Sequence, residues 1–132
     1  MTIDTTKIRY TTVGGIPVTE LIEKTKLDEI IERTKFGGGE IVKLLGTSAW
    51  YAPGAAVSGL VQAIACDQKK IFPCSVLLEG EYGLTDLCIG VPVVLGRSGI
   101  EKIVNIDLSD AEKQHMQQSA AGVTKTNGLL SF

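Results

Sequence analysis

This sequence is poor in the side chains that most often carry chemistry. It holds one histidine and one tryptophan in 132 residues. Its three cysteines, Cys66, Cys74 and Cys88, are widely spaced and odd in number. With no C-x-x-C pair, neither a zinc site nor a disulfide framework is indicated, and no metal is expected. Each cysteine lies in an apolar stretch and reads as a small buried hydrophobe, in keeping with a reducing compartment. No apolar run approaches the roughly 20 residues that a membrane helix needs. The opening "MTIDTTKIRY" is polar and has no signal-peptide core, so the chain reads as cytoplasmic. Basic residues are not in excess: the formal net charge is -2, which excludes a polycation suited to nucleic acid or an anionic membrane. Low-complexity tracts and internal repeats are also missing. His115 has no Asp, Glu or nucleophile placed to orient or use it, and reads as a solvated surface residue. Glu79, Glu81 and Asp86 are scattered, as in a solvated turn rather than an acid/base pair.

What is present suits one domain with a real core. Hydrophobic residues make up 44% and charged residues 21%. Residues 9–18, "RYTTVGGIPV", predict a strand broken by a turn at Gly14-Gly15. A helix follows, with Thr19 able to cap its first part and Glu20 and Glu23 in the first turn. From Leu27 the positions Ile30, Ile31, Thr34, Gly38, Ile41, Val42 and Leu45 keep a 3.6-residue stripe that crosses Gly37-Gly38-Gly39 in phase. Either the helix breaks at the glycines, or it passes through and another backbone packs closely on Gly38; phase continuity favours one long helix. A phosphate-cradling loop is not expected, because such loops follow a strand and here the preceding segment is helical.

A second helix is predicted from about Pro53 to Lys70, with proline tolerated in its first turn. Val57, Leu60, Val61, Ile64 and Ala65 form its apolar face. Three strands follow: "FPCSVLLEGEYG", "LCIGVPVVLG" and "IEKIVNI", the last two joined by a hairpin at Arg97-Ser98-Gly99. Ser109 with Glu112 forms a capping box for a last helix, whose inward stripe is Met116, Ala120, Val123 and Leu130. The order strand, helix, helix, three strands, helix gives an α+β class with an antiparallel sheet packed with long helices.

The segments "RYTTVGGIPVTELI", "ERTKFGGGEIVKLLGTSAWYAPGAAV", "IFPCSVLLEGEYG" and "GVPVVLGRSGIEKIVNIDLSDAEKQHMQQSA" together resemble the C-terminal half of the lactate/malate dehydrogenase family. The stretch "TSAWYAPGAA" is similar to the malate dehydrogenases of the lactate-dehydrogenase-like bacterial group. The resemblance covers 9–132 and leaves 1–8 as a non-matching N-terminal segment. It implies the family's C-terminal α/β domain, which binds substrate beside a separate NAD-binding Rossmann domain. It also implies an oxidoreductase of the tricarboxylic acid cycle that converts malate and NAD to oxaloacetate and NADH, and a homo-oligomer.

By the same resemblance, the Rossmann half, the catalytic histidine, its aspartate and the carboxylate-gripping arginines lie upstream of the matched region. No catalytic residue is therefore assigned here. Arg9, Arg33 and Arg97 match none of those arginines and take surface or structural roles. The isolated chain is expected to be inactive and to hold no NAD. Ser48 and Ala49 are implied to lie near substrate, and Pro53 to face the nicotinamide; read without the resemblance, the stretch is only a tight, proline-capped helix start. Trp50 and Tyr51 are expected to anchor that turn by packing against the domain. The alternatives are a stand-alone, non-catalytic module of the same fold that self-associates through its helices, and a fragment of an L-lactate dehydrogenase.

Overall fold

Local backbone chemistry sets most of the elements in the computed structural model, which describes residues 5–130. The first four residues of the segment 1–8 and the last two of 9–132 lie outside the described residues. The chain divides into two units: one runs through Ala49 and takes in Leu108–His115, the other takes in Trp50–Asp107 and the chain from Met116.

In the first unit, Thr5–Tyr10 forms a 3-10 turn, so Arg9 and Tyr10 are not the start of a strand as the sequence predicts. The Arg9 guanidinium stacks 4.8 Å from the Tyr10 ring centroid and pairs with Glu112 at 3.2 Å. Strands β1 (Thr12–Val13) and β2 (Ile16–Pro17) then pair antiparallel. Gly14 and Gly15 join them with φ of 59° and 87°, a turn that needs two residues in the left-handed region.

Helix α1 (Val18–Leu21) has Pro17 at its N-cap, so Thr19 is inside the helix and caps nothing. Ile22 turns extended and ends α1. Helix α2 (Lys24–Leu45) restarts after Glu23 and runs unbroken through the glycine triplet for 22 residues. The continuity predicted from phase is present, but the close-packed backbone is not: a Cβ built on Gly37, Gly38 or Gly39 meets nothing within 4 Å. None of α2 is buried. Gly46 ends it with φ 68°, its N–H donating to the Val42 carbonyl at 3.0 Å, the left-handed stop that glycine adopts without steric cost.

In the second unit, helix α3 (Tyr51–Ala65) precedes strands β3 (Lys70–Glu79), β4 (Thr85–Gly96) and β5 (Gly99–Ile103), which form one antiparallel sheet in the order β3-β4-β5. The α3 helix ends earlier than the expected Lys70. Gln68 N–H reaches the Ala63 carbonyl at 2.8 Å and Asp67 N–H the Ile64 carbonyl at 3.2 Å. This is a Schellman stop with Asp67, φ 48°, where glycine is usual. The Asp67 carboxylate then accepts Arg97 N–H at 2.8 Å, tying the end of α3 to the β4–β5 turn.

Register explains the core. Cys74 faces Val91, Val76 faces Ile89 and Leu78 faces Leu87, so one sheet face collects the large apolar residues. Leu78, Val91 and Val93 are fully buried there, as is Ala63 on α3. Each large aliphatic side chain removed from water contributes about 1.5–3 kcal/mol. Pro92 lies in the central strand, where proline is unusual. It faces Pro73 across the β3 ladder, and its carbonyl accepts Val104 N–H at 2.8 Å just beyond the end of β5.

Helix α4 (Asp110–Asn127) begins as expected. The Glu112 carboxylate accepts Ser109 N–H at 2.6 Å and Ser109 Oγ accepts Glu112 N–H at 3.4 Å, the reciprocal bonds of a capping box. Met116 and Ala120 are buried and Val123 is half-buried, but Leu130 is exposed and lies past the helix. The cysteines depart from expectation too: Cys66 and Cys88 are exposed and Cys74 is half-buried. Cys88 lies on the sheet face opposite the core, because it pairs with Leu77, one step out of phase with Leu78. No helix among the described residues is long and apolar enough to cross a membrane.

Candidate functional site

The stretch singled out by the sequence is the link between α2 and α3. Gly46 reverses the chain out of α2, and Thr47, Ser48 and Ala49 follow without regular structure. Ser48 is exposed and Ala49 half-buried at the end of the first unit; Pro53 is exposed in the first turn of α3, in the second. Trp50 holds the N-cap position of α3 but makes no side-chain cap, and the first backbone bond of the helix runs from Gly54 N–H to the Trp50 carbonyl at 2.8 Å. The missing N–H of Pro53 is one that a helix start leaves unpaired anyway.

Trp50 and Tyr51 are not the anchors the sequence suggests. They are 62% and 80% exposed, and their rings contact one another at 6.2 Å between centroids, tilted by 41°. In a stretch of small residues neither ring finds a wall to pack on. Aromatic composition gave no warning, because large rings are buried on average and only the surroundings decide the exception.

The other groups weighed from the sequence carry no chemistry in place. His115 is exposed on α4. Arg9 pairs with Glu112, Arg33 with Glu40 at 3.2 Å, and Arg97 sits in the β4–β5 turn. The Glu81 carboxylate accepts Glu79 N–H at 2.7 Å, and that backbone donor draws its pKa below the usual glutamate value. This is turn closure, not acid/base catalysis. Lys69 pairs with Glu101 at 3.2 Å, which raises its pKa, and the pair sits over Gly96 beside Asp67. Among the described residues no group of three or more His, Cys, Asp or Glu is placed to hold a metal.

One structural residue escaped the sequence reading. Tyr82, held at φ 54° in a 3-10 turn (Glu81–Gly83), donates its hydroxyl to the Val104 carbonyl at 2.6 Å and accepts Ile106 N–H at 3.2 Å. It fixes the segment that follows β5. The Gly-Glu-Tyr-Gly sequence signalled only a turn.

The second unit's antiparallel three-stranded sheet with a helix on its apolar face, and the first unit's long helix, give the chain its α+β class. The chain belongs to the lactate/malate dehydrogenase family: residues 5–127 match the family's alpha/beta C-terminal domain. It is 59% identical to a malate dehydrogenase of Cytophaga hutchinsonii over 92% of this chain and 39% of that protein. It is 55% identical to one of Bacteroides fragilis over 96% of this chain and 42% of that protein. The chain thus spans about two fifths of the curated relatives it matches. Among solved structures, malate dehydrogenase from Salinibacter ruber superposes with a TM-score of 0.87 at 55% identity, covering 89% of this chain and 39% of that one. Lactate dehydrogenase from Eimeria maxima, solved with NADH and oxamate, superposes at 0.88 with 38% identity over 92% and 40%.

Proposed function

We propose that these residues are the C-terminal, substrate-side part of an NAD-dependent malate dehydrogenase acting in the cytoplasm, with 9–132 as that domain and 1–8 outside the family pattern. The observation that carries this reading is identity of 53–59% to malate dehydrogenases over nearly the whole chain. The family match over 5–127 begins four residues before that boundary.

In this reading Ser48 and Ala49 border the substrate and Pro53 faces the nicotinamide. Small side chains leave room for a ligand, and the start of α3 has backbone N–H groups free of helical partners. NAD supplies the hydride acceptor when bound. The described residues do not fit the whole cofactor: the glycine triplet, Gly37–Gly39, is inside α2, where its N–H groups are committed to helical bonds. It offers no cradle for the two phosphates.

Oxidising a 2-hydroxy acid needs a general base within about 3 Å of the hydroxyl and a cation for the carboxylate, where arginine gives a bidentate clamp. The link holds neither. The 132-residue chain alone is therefore expected to give no NADH oxidation with oxaloacetate; clear turnover by the purified chain overturns the assignment of all catalytic groups to residues outside it. Mixing it with the N-terminal part of the Bacteroides fragilis enzyme is expected to yield malate-dependent NAD reduction. The second reading, a self-associating module, is favoured by one observation: the apolar side chains of α2 are left uncovered.

A further inference from the structure

The chain has two asparagines, Asn105 and Asn127, and their surroundings differ in the respect that decides their chemistry. An asparagine side-chain amide is thermolabile, because the backbone nitrogen of the next residue is one ring closure away from its Cγ. Whether that ring closes depends on how free the nitrogen is. After Asn105 it belongs to Ile106, whose N–H donates to the Tyr82 hydroxyl at 3.2 Å and whose branched Cβ crowds the approach. After Asn127 it belongs to Gly128, which has no Cβ and the widest choice of backbone angles.

Asn127 is the last residue of α4. Three bonds close the turn around it: Gly128 N–H to the Thr124 carbonyl at 2.9 Å, Leu129 N–H to the Thr126 carbonyl at 3.1 Å, and Leu130 N–H to the Asn127 carbonyl at 3.0 Å. No buried side chain anchors that turn. Met116 and Ala120 are buried earlier in the helix and Val123 is half-buried, but every residue from Thr124 to Leu130 is exposed. A helix end without buried contacts opens at almost no cost. While the turn is helical, the backbone of Asn127 keeps the Gly128 nitrogen away from Cγ. Once it opens, no other group separates them.

We propose that Asn127-Gly128 is a self-modification site, where the Asn127 side chain cyclises onto the Gly128 nitrogen, is lost as ammonia and so loosens the end of α4. Solvent hydroxide takes the proton from the Gly128 nitrogen, which then bonds to Asn127 Cγ. The Cγ–Nδ2 bond breaks, and the amide nitrogen leaves as ammonia with a proton from water. Water next opens the ring. Cleavage at Cγ leaves an aspartate; cleavage at the backbone carbonyl carbon leaves an isoaspartate, whose main chain is longer by one carbon. Either product places a negative charge at the helix end toward which the carbonyls already point, where it is unfavourable. The isoaspartate also spoils the spacing that the three closing bonds require.

Peptide mass mapping of the 132-residue chain tests this, after incubation in warm neutral buffer in which circular dichroism shows the helices formed. The peptide holding Asn127 is expected to gain the mass difference of OH for NH2 and to resolve into aspartate and isoaspartate forms, while the peptide holding Asn105 stays intact. In Gly128→Ala the added Cβ lies at an ordinary 3.5 Å from the Thr124 carbonyl oxygen, so the helix keeps its end. That variant is expected to react at least about tenfold more slowly, a barrier higher by about 1.4 kcal/mol. Asn127→Gln, which must close a larger ring, should remain unmodified at that position. In the converted chain, amide exchange at Leu129 and Leu130 is expected to quicken and exchange at Ala120 to stay as it was. Conversion of Asn105 as fast as Asn127, or a Gly128→Ala rate equal to that of the parent chain, overturns the proposal. So does an Asn127 that stays intact in the folded chain and is converted only in urea, since the helix end would then be closed.

Discussion

The β3–β5 sheet and helix α2 are written with equally regular apolar patterns and meet opposite fates. On the sheet, the period of two places Val76, Leu78, Leu87, Val91 and Val93 on one face, and the chain buries all five. On α2, the 3.6 period holds from Leu27 to Leu45 and the 22-residue helix buries nothing. A periodic pattern therefore specifies an element and the face it wants covered; it does not specify that the same chain supplies the cover. The apolar area of the sheet stabilises this fold, whereas that of α2 is available to another surface.

The largest test of that contrast pairs two leucines. Leu78→Ala is expected to destabilise the chain by about 2–5 kcal/mol, the usual loss for a fully buried leucine, in urea titrations. Leu44→Ala, measured at a concentration too low for association, should move stability by less than about 0.5 kcal/mol. Equal losses would mean that α2 is buried after all. Next in size, Tyr82→Phe removes the hydroxyl that holds Val104 and Ile106. We expect a loss of about 1–3 kcal/mol, since it strands partly buried backbone groups, with amide exchange at Ile106 accelerated and exchange within α2 untouched.

A smaller effect has the opposite sign. Gly39→Ala meets open space and should raise stability by about 1 kcal/mol, the helix propensity difference. Thermal melting that shows a decrease instead would reveal a close neighbour at the glycines. The smallest change concerns pH. The Ser109 N–H, then the Ser109 hydroxyl and last the Arg9 charge, hold the Glu112 carboxyl below its ordinary value of 4.5 against the opposing effect of desolvation. A depressed carboxylate contributes stability that is complete above that value and lost as pH falls through its folded pKa. The acid limb of the unfolding profile should therefore be shallower in Glu112→Gln, and an unchanged limb would remove the capping box from the account.

Several features were legible because they are local. The phase across Gly37–Gly39, the capping box at Ser109 and Glu112, the Arg97-Ser98-Gly99 hairpin and the turn at Gly14-Gly15 each depend on residues a few positions apart. The stop of α3 was not legible, because its left-handed residue is Asp67, stabilised by Arg97 N–H from 30 residues away. The exposure of Trp50, Tyr51, Cys66 and Cys88 was missed for a related reason: burial belongs to the surroundings, not to the residue type. At the link, the sequence singled out Ser48, Ala49 and Pro53 by their small size and by resemblance; it had no means of telling that the rings beside them face water.

By itself the sequence determined the family, the α+β class and where most helices and strands run, since these follow from motifs and from periodicities imposed by backbone geometry. Only the tertiary structure decided which of those apolar faces are satisfied. Burial requires two surfaces to meet, and a linear pattern describes one of them at a time.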